Sequence, residues 1–392
     1  MSEYIPFVTG EDTRKLVQRL YPDSEIIRVP LGGENPLRLL NNFSSVWMDP
    51  VVDGMHDLEI RRRLGGKANP WFDFMSTFAN FEKIGTPSYH AKPVSSEVDG
   101  FVKAILDKCL AHKPTWITVP QIPLRNDSGR NRINRMLAAA AGKWKRSSGF
   151  SGKLILPILL THQNQIRGKM ARNPKVRQAE RCYHEAGADG FWVVDTSLKD
   201  DDGSSTLRRR FRAIIDFHQE LNDHISSRIR IAGPYWGLNI VLWAKGLVDH
   251  PAIGIGSGYQ YFLAGSPSRH ANVRLALPSL RRRVGVGPQF RIWLDTAISK
   301  LAASHPARLE FTEIRRQYGA LVVPDAAREQ VARFYKQWID LIAGTPKAGR
   351  SMALFQDLSV AYSLGKSLPE KADEGTGRRP EAVAEPLMLS CL

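Results

Sequence analysis

Eight short β-type runs recur along the chain, and most are followed by a segment with helical period. That alternation constrains the fold more than any other feature of the sequence. The runs are Tyr4 to Val8, Glu25 to Pro30, Ser45 to Val52, Thr115 to Val119, Lys153 to Leu160, Gly190 to Asp195, Arg228 to Ala232 and Ala252 to Ile255. Between them lie stretches whose apolar residues fall on one helical face, such as Val98, Phe101, Val102, Ile105, Leu106 and Cys109. The segment from Pro174 to Glu185 opens with proline and is closed by Gly187, the usual punctuation of a helix. Leu154-Ile155-Leu156 and Phe191-Trp192-Val193-Val194 are continuously apolar, as parallel strands covered on both faces must be.

Eight such units predict an α/β protein of the (β/α)8 TIM-barrel type. An open doubly wound sheet uses the same unit, but the count of eight and the span to about residue 262 match the usual barrel of roughly 250 residues. The chain has 392 residues, 43% of them hydrophobic, enough apolar surface for a large core. Its three cysteines, Cys109, Cys182 and Cys391, form no CxxC pair, which argues against a thiolate zinc site or a disulfide framework. No apolar run reaches the roughly 18–20 residues of a spanning helix, and Met1 to Tyr4 does not begin a secretory signal. A cytoplasmic protein is expected.

The rhythm breaks twice. Residues 65–94 form an insertion with Trp71, Phe72, Phe74, Phe78, Phe81 and Tyr89, either a lid over the barrel mouth or a satellite hydrophobic cluster. From Gly287 onward the pattern turns helical, with amphipathic stretches at Phe290–Ala303, Arg308–Tyr318 and Ala326–Ile342. The expected organisation is a barrel over 1–286 carrying the 65–94 insertion, a helical subdomain over 287–365, and a flexible tail over 366–392.

Barrel enzymes work at the C-terminal ends of their strands. Asp49 and Asp195 end apolar runs there, where a carboxylate facing the core unpaired would be costly. Two carboxylates at one mouth can divide acid, base and nucleophile roles; alternatively each caps a turn or pairs with a basic neighbour. His162, at the end of the fifth run, can assist as a base or bond to the rim. Asp49, His162 and Asp195 together would make an oxygen and nitrogen set for a divalent metal, although no spaced ligand motif supports one.

The loops after the seventh and eighth runs are rich in glycine. Gly237, Gly256, Ser257 and Gly258 can bring backbone N–H groups to a phosphate, or can simply be tight barrel corners. Lys and Arg number 55 against 39 acidic residues, a formal net charge of +16. Arg61–Arg63, Lys143 to Arg146, Arg167 to Arg177, Arg208 to Arg212 and Arg281–Arg283 form clusters, part of each being ordinary solvated helix surface. The stretch after the fifth run interleaves Gln163, Gln165, Arg167, Lys169 and Arg172, side chains suited to phosphate and base-edge contacts. Tyr235 and Tyr259 can offer rings for stacking on bases.

The opening Tyr4-Ile5-Pro6-Phe7-Val8-Thr9-Gly10, followed by a helical segment, resembles the start of the prokaryotic "beta protein" family, a group related to a phage protein. The resemblance implies a barrel and a phage- or mobile-element-linked role, and it implies no catalytic residue. The 65–94 insertion and the helical C-terminal part depart from that family. The expected function is binding or turnover of a phosphate-bearing substrate, a nucleic acid or a nucleotide. The alternative is a non-catalytic barrel scaffold that binds nucleic acid or protein.

Overall fold

The eight apolar runs become eight parallel strands that close on themselves. The computed structural model describes residues 3–8, 10–31, 43, 45–50, 74–125, 127–160, 174–195, 198, 204–254, 273–370 and 379–392. The strands are β1 (Ile5–Phe7), β2 (Ile26–Pro30), β3 (Ser45–Asp49), β4 (Trp116–Thr118), β5 (Lys153–Leu160), β6 (Gly190–Asp195), β7 (Arg230–Ala232) and β8 (His250–Gly254). They pair in sequence order, and β8 returns to β1 with Ile5 opposite Ala252 and Phe7 opposite Gly254. The architecture is a (β/α)8 barrel.

Alternation of side chains along each strand builds two cores. Ile5, Phe7, Ile26, Trp47, Trp116, Ile155, Leu159, Trp192, Val194 and Ile231 fill the barrel interior. Residues one step out of phase, such as Ile27, Met48, Ile117, Leu156 and Val193, join the shell between strands and helices.

Helices cover that shell. α1 (Glu11–Leu20) follows β1. Among the described residues the insertion after β3 includes the short helices α2 (Phe81–Ile84) and α3 (Pro87–Ala91), before α4 (Ser95–Leu110). Phe81, Ile84 and His90 are buried, and Phe81 stacks on Phe101 of α4 at 6.2 Å. Residues 74–94 are therefore packed against the barrel shell; residues 65–73 lie outside the described residues. α5 (Ser128–Ser148), α6 (Pro174–Ala186), α7 (Ser204–His224) and α8 (Leu238–Ala244) follow β4 to β7. The Asp127 carboxylate caps α5 by accepting from the Arg130 N–H at 3.0 Å. Gly142 lets α5 approach α6 closely, since a Cβ there would stand 2.6 Å from the Glu185 carbonyl oxygen.

After β8 the chain leaves the barrel. β9 (Arg274–Leu277) and β10 (Arg282–Gly285) form an antiparallel hairpin around a 3-10 turn at Pro278–Leu280. With α9 (Pro288–Lys300), α10 (Pro306–Arg316) and α11 (Tyr318–Leu321) the hairpin builds a separate core of Leu275, Leu277, Val284, Phe290, Trp293 and Phe311. The hairpin thus packs with the helices that follow it, while Ala276 joins the barrel shell and the Arg281 carbonyl accepts from Trp236 Nε1 at 3.1 Å.

The next helix, α12 (Pro324–Ala343), goes back to the barrel. It lies against α1, where Tyr21 Oη donates to the Ala332 carbonyl at 3.1 Å, and against α8, where Tyr335 Oη donates to Asn239 Oδ1 at 2.6 Å. Val331, Phe334, Trp338, Ile339 and Ile342 join the barrel shell. α12 takes the place of the eighth barrel helix, between α8 and α1.

α13 (Arg350–Ser367) and α14 (Ala384–Cys391) complete the chain. The composition of 366–392 predicts a flexible tail, but α14 packs on α13 and α7 and buries Ala384 and Leu387 completely. The four apolar residues of its inner face supply the burial that the polar stretch before it lacks. Arg281–Arg283, which reads as a basic patch, is tied into the same assembly. Arg281 Nε donates to Asp357 Oδ2 at 2.7 Å, Arg282 Nη1 donates to the Arg379 carbonyl at 2.7 Å, and Arg283 stands 4.8 Å over the Trp236 ring. Among the described residues no helix is long and apolar enough to cross a membrane.

Candidate active site at the barrel mouth

Among the described residues the polar groups of the barrel interior are His250 at the start of β8, against Trp116, and a cluster toward the C-terminal ends of β2, β3 and β4. Arg28 takes an inward position on β2, in register with Trp47 on β3, and Pro30 is in register with Asp49. Arg28 Nη2 donates to Asp49 Oδ2, and both side chains are shielded from solvent, at 4% and 0% exposure. The guanidinium carbon stands 4.4 Å from the Phe7 ring centroid and 5.1 Å from that of Trp192, so the aromatic faces add cation–π attraction to the ion pair.

The surrounding rings hold one another at right angles. Phe7, Trp47 and Trp192 pack edge to face, with centroids 5.1–5.7 Å apart. Each indole N–H finds an acceptor: Trp47 Nε1 donates to Thr118 Oγ1 at 2.8 Å, and Trp192 Nε1 donates to the Gly233 carbonyl at 2.7 Å. Arg28 therefore sits among rings of which the two indoles are held by hydrogen bonds and Phe7 by edge-to-face packing.

Such a pair is a weak device for stability. Desolvating two charges offsets most of their attraction, and well-packed apolar residues often do as well or better. A buried, hydrogen-bonded ion pair at the end of a barrel where chemistry takes place is instead the expected form of a functional constellation. An arginine offers planar donors to a carboxylate or a phosphate, and an aspartate beside it can exchange a proton or hold a hydroxyl.

Asp195 ends β6 two residues past Val193 and one past the inward Val194. Its strand phase is that of Phe191 and Val193 in the outer shell, whereas Asp49 shares the inward phase of Trp47. The two carboxylates are placed on opposite phases of the sheet rather than on one face. The Asp195 backbone N–H donates to Tyr235 Oη at 2.8 Å, and that hydroxyl donates to the Val193 carbonyl at 3.0 Å. Burial, reinforced by the nearby Asp195 charge, pushes the Tyr235 phenol well above its ordinary range. Tyr235 is 2% exposed, so its ring is a strut between β6 and β7 with no face open for base stacking.

Gly237 has φ +72°, and a Cβ on it would meet Leu387 Cδ1 at 2.6 Å and Trp338 Cη2 at 2.9 Å. Hydrocarbon from α12 and α14 fills the side on which a Cβ would stand. His162, Gln163, Gln165, Arg167, Lys169, Arg172, Gly256, Ser257, Gly258 and Tyr259 lie outside the described residues. No group of three or more His, Cys, Asp or Glu able to hold a metal ion occurs among the described residues. No family model matches the chain, and no curated protein matches it.

Two cationic features near the mouth complete the site. Lys175, in the first turn of α6, is 4% exposed, and desolvation lowers its ammonium pKa. Arg208, Arg209 and Arg212 project from the exposed face of α7 in its first half, on the side where the chain returns from the end of β6. Sequence reasoning found Asp49 but missed Arg28. The signal was there: a lone arginine at an alternate position of Ile26-Ile27-Arg28-Val29, where a buried strand offers it no water.

Proposed function

We propose that this barrel binds and acts on a phosphate-bearing substrate, a nucleic acid or a nucleotide, at the C-terminal mouth. The buried Arg28–Asp49 pair carries the reading. Arg28 is a fixed guanidinium whose bond to Asp49 a phosphate oxygen can replace, and Asp49, released by that exchange, is the group that takes or gives a proton. The +16 formal charge and the exposed Arg208, Arg209 and Arg212 support attraction of a polyanion toward this end of the barrel. A phage- or mobile-element-linked role, implied by the resemblance of Tyr4–Gly10 to the beta-protein family, belongs to the same proposal.

The test is equilibrium binding of a fluorescent single-stranded oligonucleotide and of a nucleoside triphosphate over a salt series. Affinity for the oligonucleotide should fall linearly on a log–log plot, as counterion release requires. Arg28→Lys should weaken binding of both ligands while Asp49→Asn leaves binding and abolishes turnover. Salt-independent binding, or full affinity in Arg28→Lys, would remove the proposal. Binding with no turnover in the wild type would leave the second reading, a scaffold, which the complete burial of Asp49 favours.

A further inference from the structure

A cleft of about 820 Å³ lies between the hairpin turn, the start of α10 and one face of α13. Pro278, Pro306, Val360 and Leu364 give it an apolar wall, and Ser279, Arg281, His305 and Asp357 give it polar groups. Ser279 sits on the tight turn between β9 and β10. Its hydroxyl donates to Glu310 Oε2 at 2.5 Å, and its backbone N–H donates to the same oxygen at 2.9 Å. Glu310 Oε1 is shielded from solvent and has no hydrogen-bond partner among the described residues.

Three further observations fall on the same cleft. Arg281, two residues after Ser279, has φ +51°, a left-handed conformation uncommon outside glycine and characteristic of constrained functional turns. Its guanidinium is fixed by Asp357, so the turn cannot relax freely. His305 Nδ1 accepts from the Ala307 N–H at 3.1 Å, so the neutral ring carries its proton on Nε2 and is a donor. A hydroxyl on a tight turn, bonded to a partly buried carboxylate and lining a cleft of mixed polarity, is an arrangement that can activate a nucleophile.

We propose that Ser279 is a nucleophile for acyl transfer, with Glu310 as its base, and that the cleft takes an uncharged ester of a small apolar acid. Ser279 Oγ forms a bond to the ester carbonyl carbon as its proton passes to Glu310 Oε2. Collapse of the adduct breaks the ester C–O bond, and the departing alcohol oxygen takes that proton from Glu310. Water then attacks the acyl-serine carbonyl and gives a proton to Glu310. The acyl–Oγ bond breaks, Oγ recovers the proton, and the carboxylic acid leaves. His305, which also lines the cleft, is assigned within this proposal as the donor to the carbonyl oxygen. Desolvation raises the Glu310 pKa to about 7, which suits a base working near neutrality. The proposal uses none of the residues assigned to the barrel mouth and does not depend on what binds there.

The test treats the full chain with a fluorophosphonate probe and follows hydrolysis of p-nitrophenyl butyrate. Peptide mass analysis should place the adduct on Ser279, and S279A should take up none. E310Q keeps an acceptor for Ser279 but is no base, and should react at least about tenfold more slowly. The wild-type rate should rise through pH 7 and that of E310Q should not. Absence of an adduct, an adduct elsewhere, or wild-type reactivity in E310Q would overturn the proposal. Should S279A fail to fold, the rate and pH profile of E310Q decide alone.

Discussion

Leu387 occupies the space that a side chain on Gly237 would need, with its Cδ1 2.6 Å from the ideal Cβ position. A residue of the last helix thereby packs against the loop after β7, at the end of the barrel where a phosphate loop is expected from sequence. Gly237→Ala adds a methyl against Leu387 and Trp338 and forces alanine to φ +72°. It should cost about 2 kcal/mol or more in urea unfolding, the usual size of an overpacking defect joined to left-handed strain. Gly237→Ala combined with Leu387→Ala should recover part of that loss, and a phosphate-loop role would instead show as lost ligand affinity at unchanged stability.

Arg28 and Asp49 should behave as a unit. Arg28→Met strands a buried carboxylate, and a loss of about 3–5 kcal/mol is expected. Asp49→Leu strands the guanidinium with a similar cost. The double variant should be far more stable than the sum of the two losses allows, and a double-mutant cycle by chemical denaturation measures the coupling.

Glu310 and His218 should give stability opposite dependences on pH. Glu310 is raised to about 7 by burial, so the folded state favours its acid form. Its contribution is fully present below the ordinary carboxyl range, falls as pH rises toward 7, and is flat above, a change on the order of 3 kcal/mol. Glu310→Gln should remove that fall.

His218 has the reverse sign. It is fully buried on α7, neither ring nitrogen has a hydrogen-bond partner among the described residues, and desolvation, then the Arg230 charge, lower it to about 3. The neutral ring is the folded form, so stability present above pH 6.5 is lost as pH falls toward 3. His218→Leu should flatten the acid side of the profile and leave stability at neutral pH equal or higher. Thermal unfolding from pH 4 to 8 separates the two groups.

If a polyanion reaches the mouth along α7, Arg208→Gln, Arg209→Gln and Arg212→Gln together should weaken oligonucleotide binding and reduce the salt slope by about two to three. Stability should stay within about 0.5 kcal/mol, because these side chains are exposed. An unchanged slope would place the binding surface elsewhere.

The barrel was legible because continuous runs such as Leu154–Leu160 and Phe191–Val194 admit few folds once eight of them recur with helices between. The address of each helix was not. α12 is amphipathic in the same manner as α9 and α10, and nothing in its periodicity says that Tyr335 meets Asn239 across the barrel wall. α14 was hidden by its setting, since Lys366 to Arg379 reads as solvated chain and Leu387 gains its partners only from distant segments. At the site, Asp49 was visible as a carboxylate ending an apolar strand. The inward phase of Arg28 and the outward phase of Asp195 are properties of register, which one-dimensional spacing reports only when the strand's first residue is known.

The detour between β8 and α12 sets an order of assembly during synthesis. β8 meets β1 as soon as Gly254 is available, yet the seam between α1 and α8 stays bare until residues 324–343 have left the ribosome. Through that interval a nascent barrel lacks the cover that α12 gives to Tyr21, Trp236 and Asn239. A chaperone acting on this protein therefore has a defined window and a defined strip to shield. A stop codon placed just before Pro324 should yield a chain that aggregates although all eight strands are present.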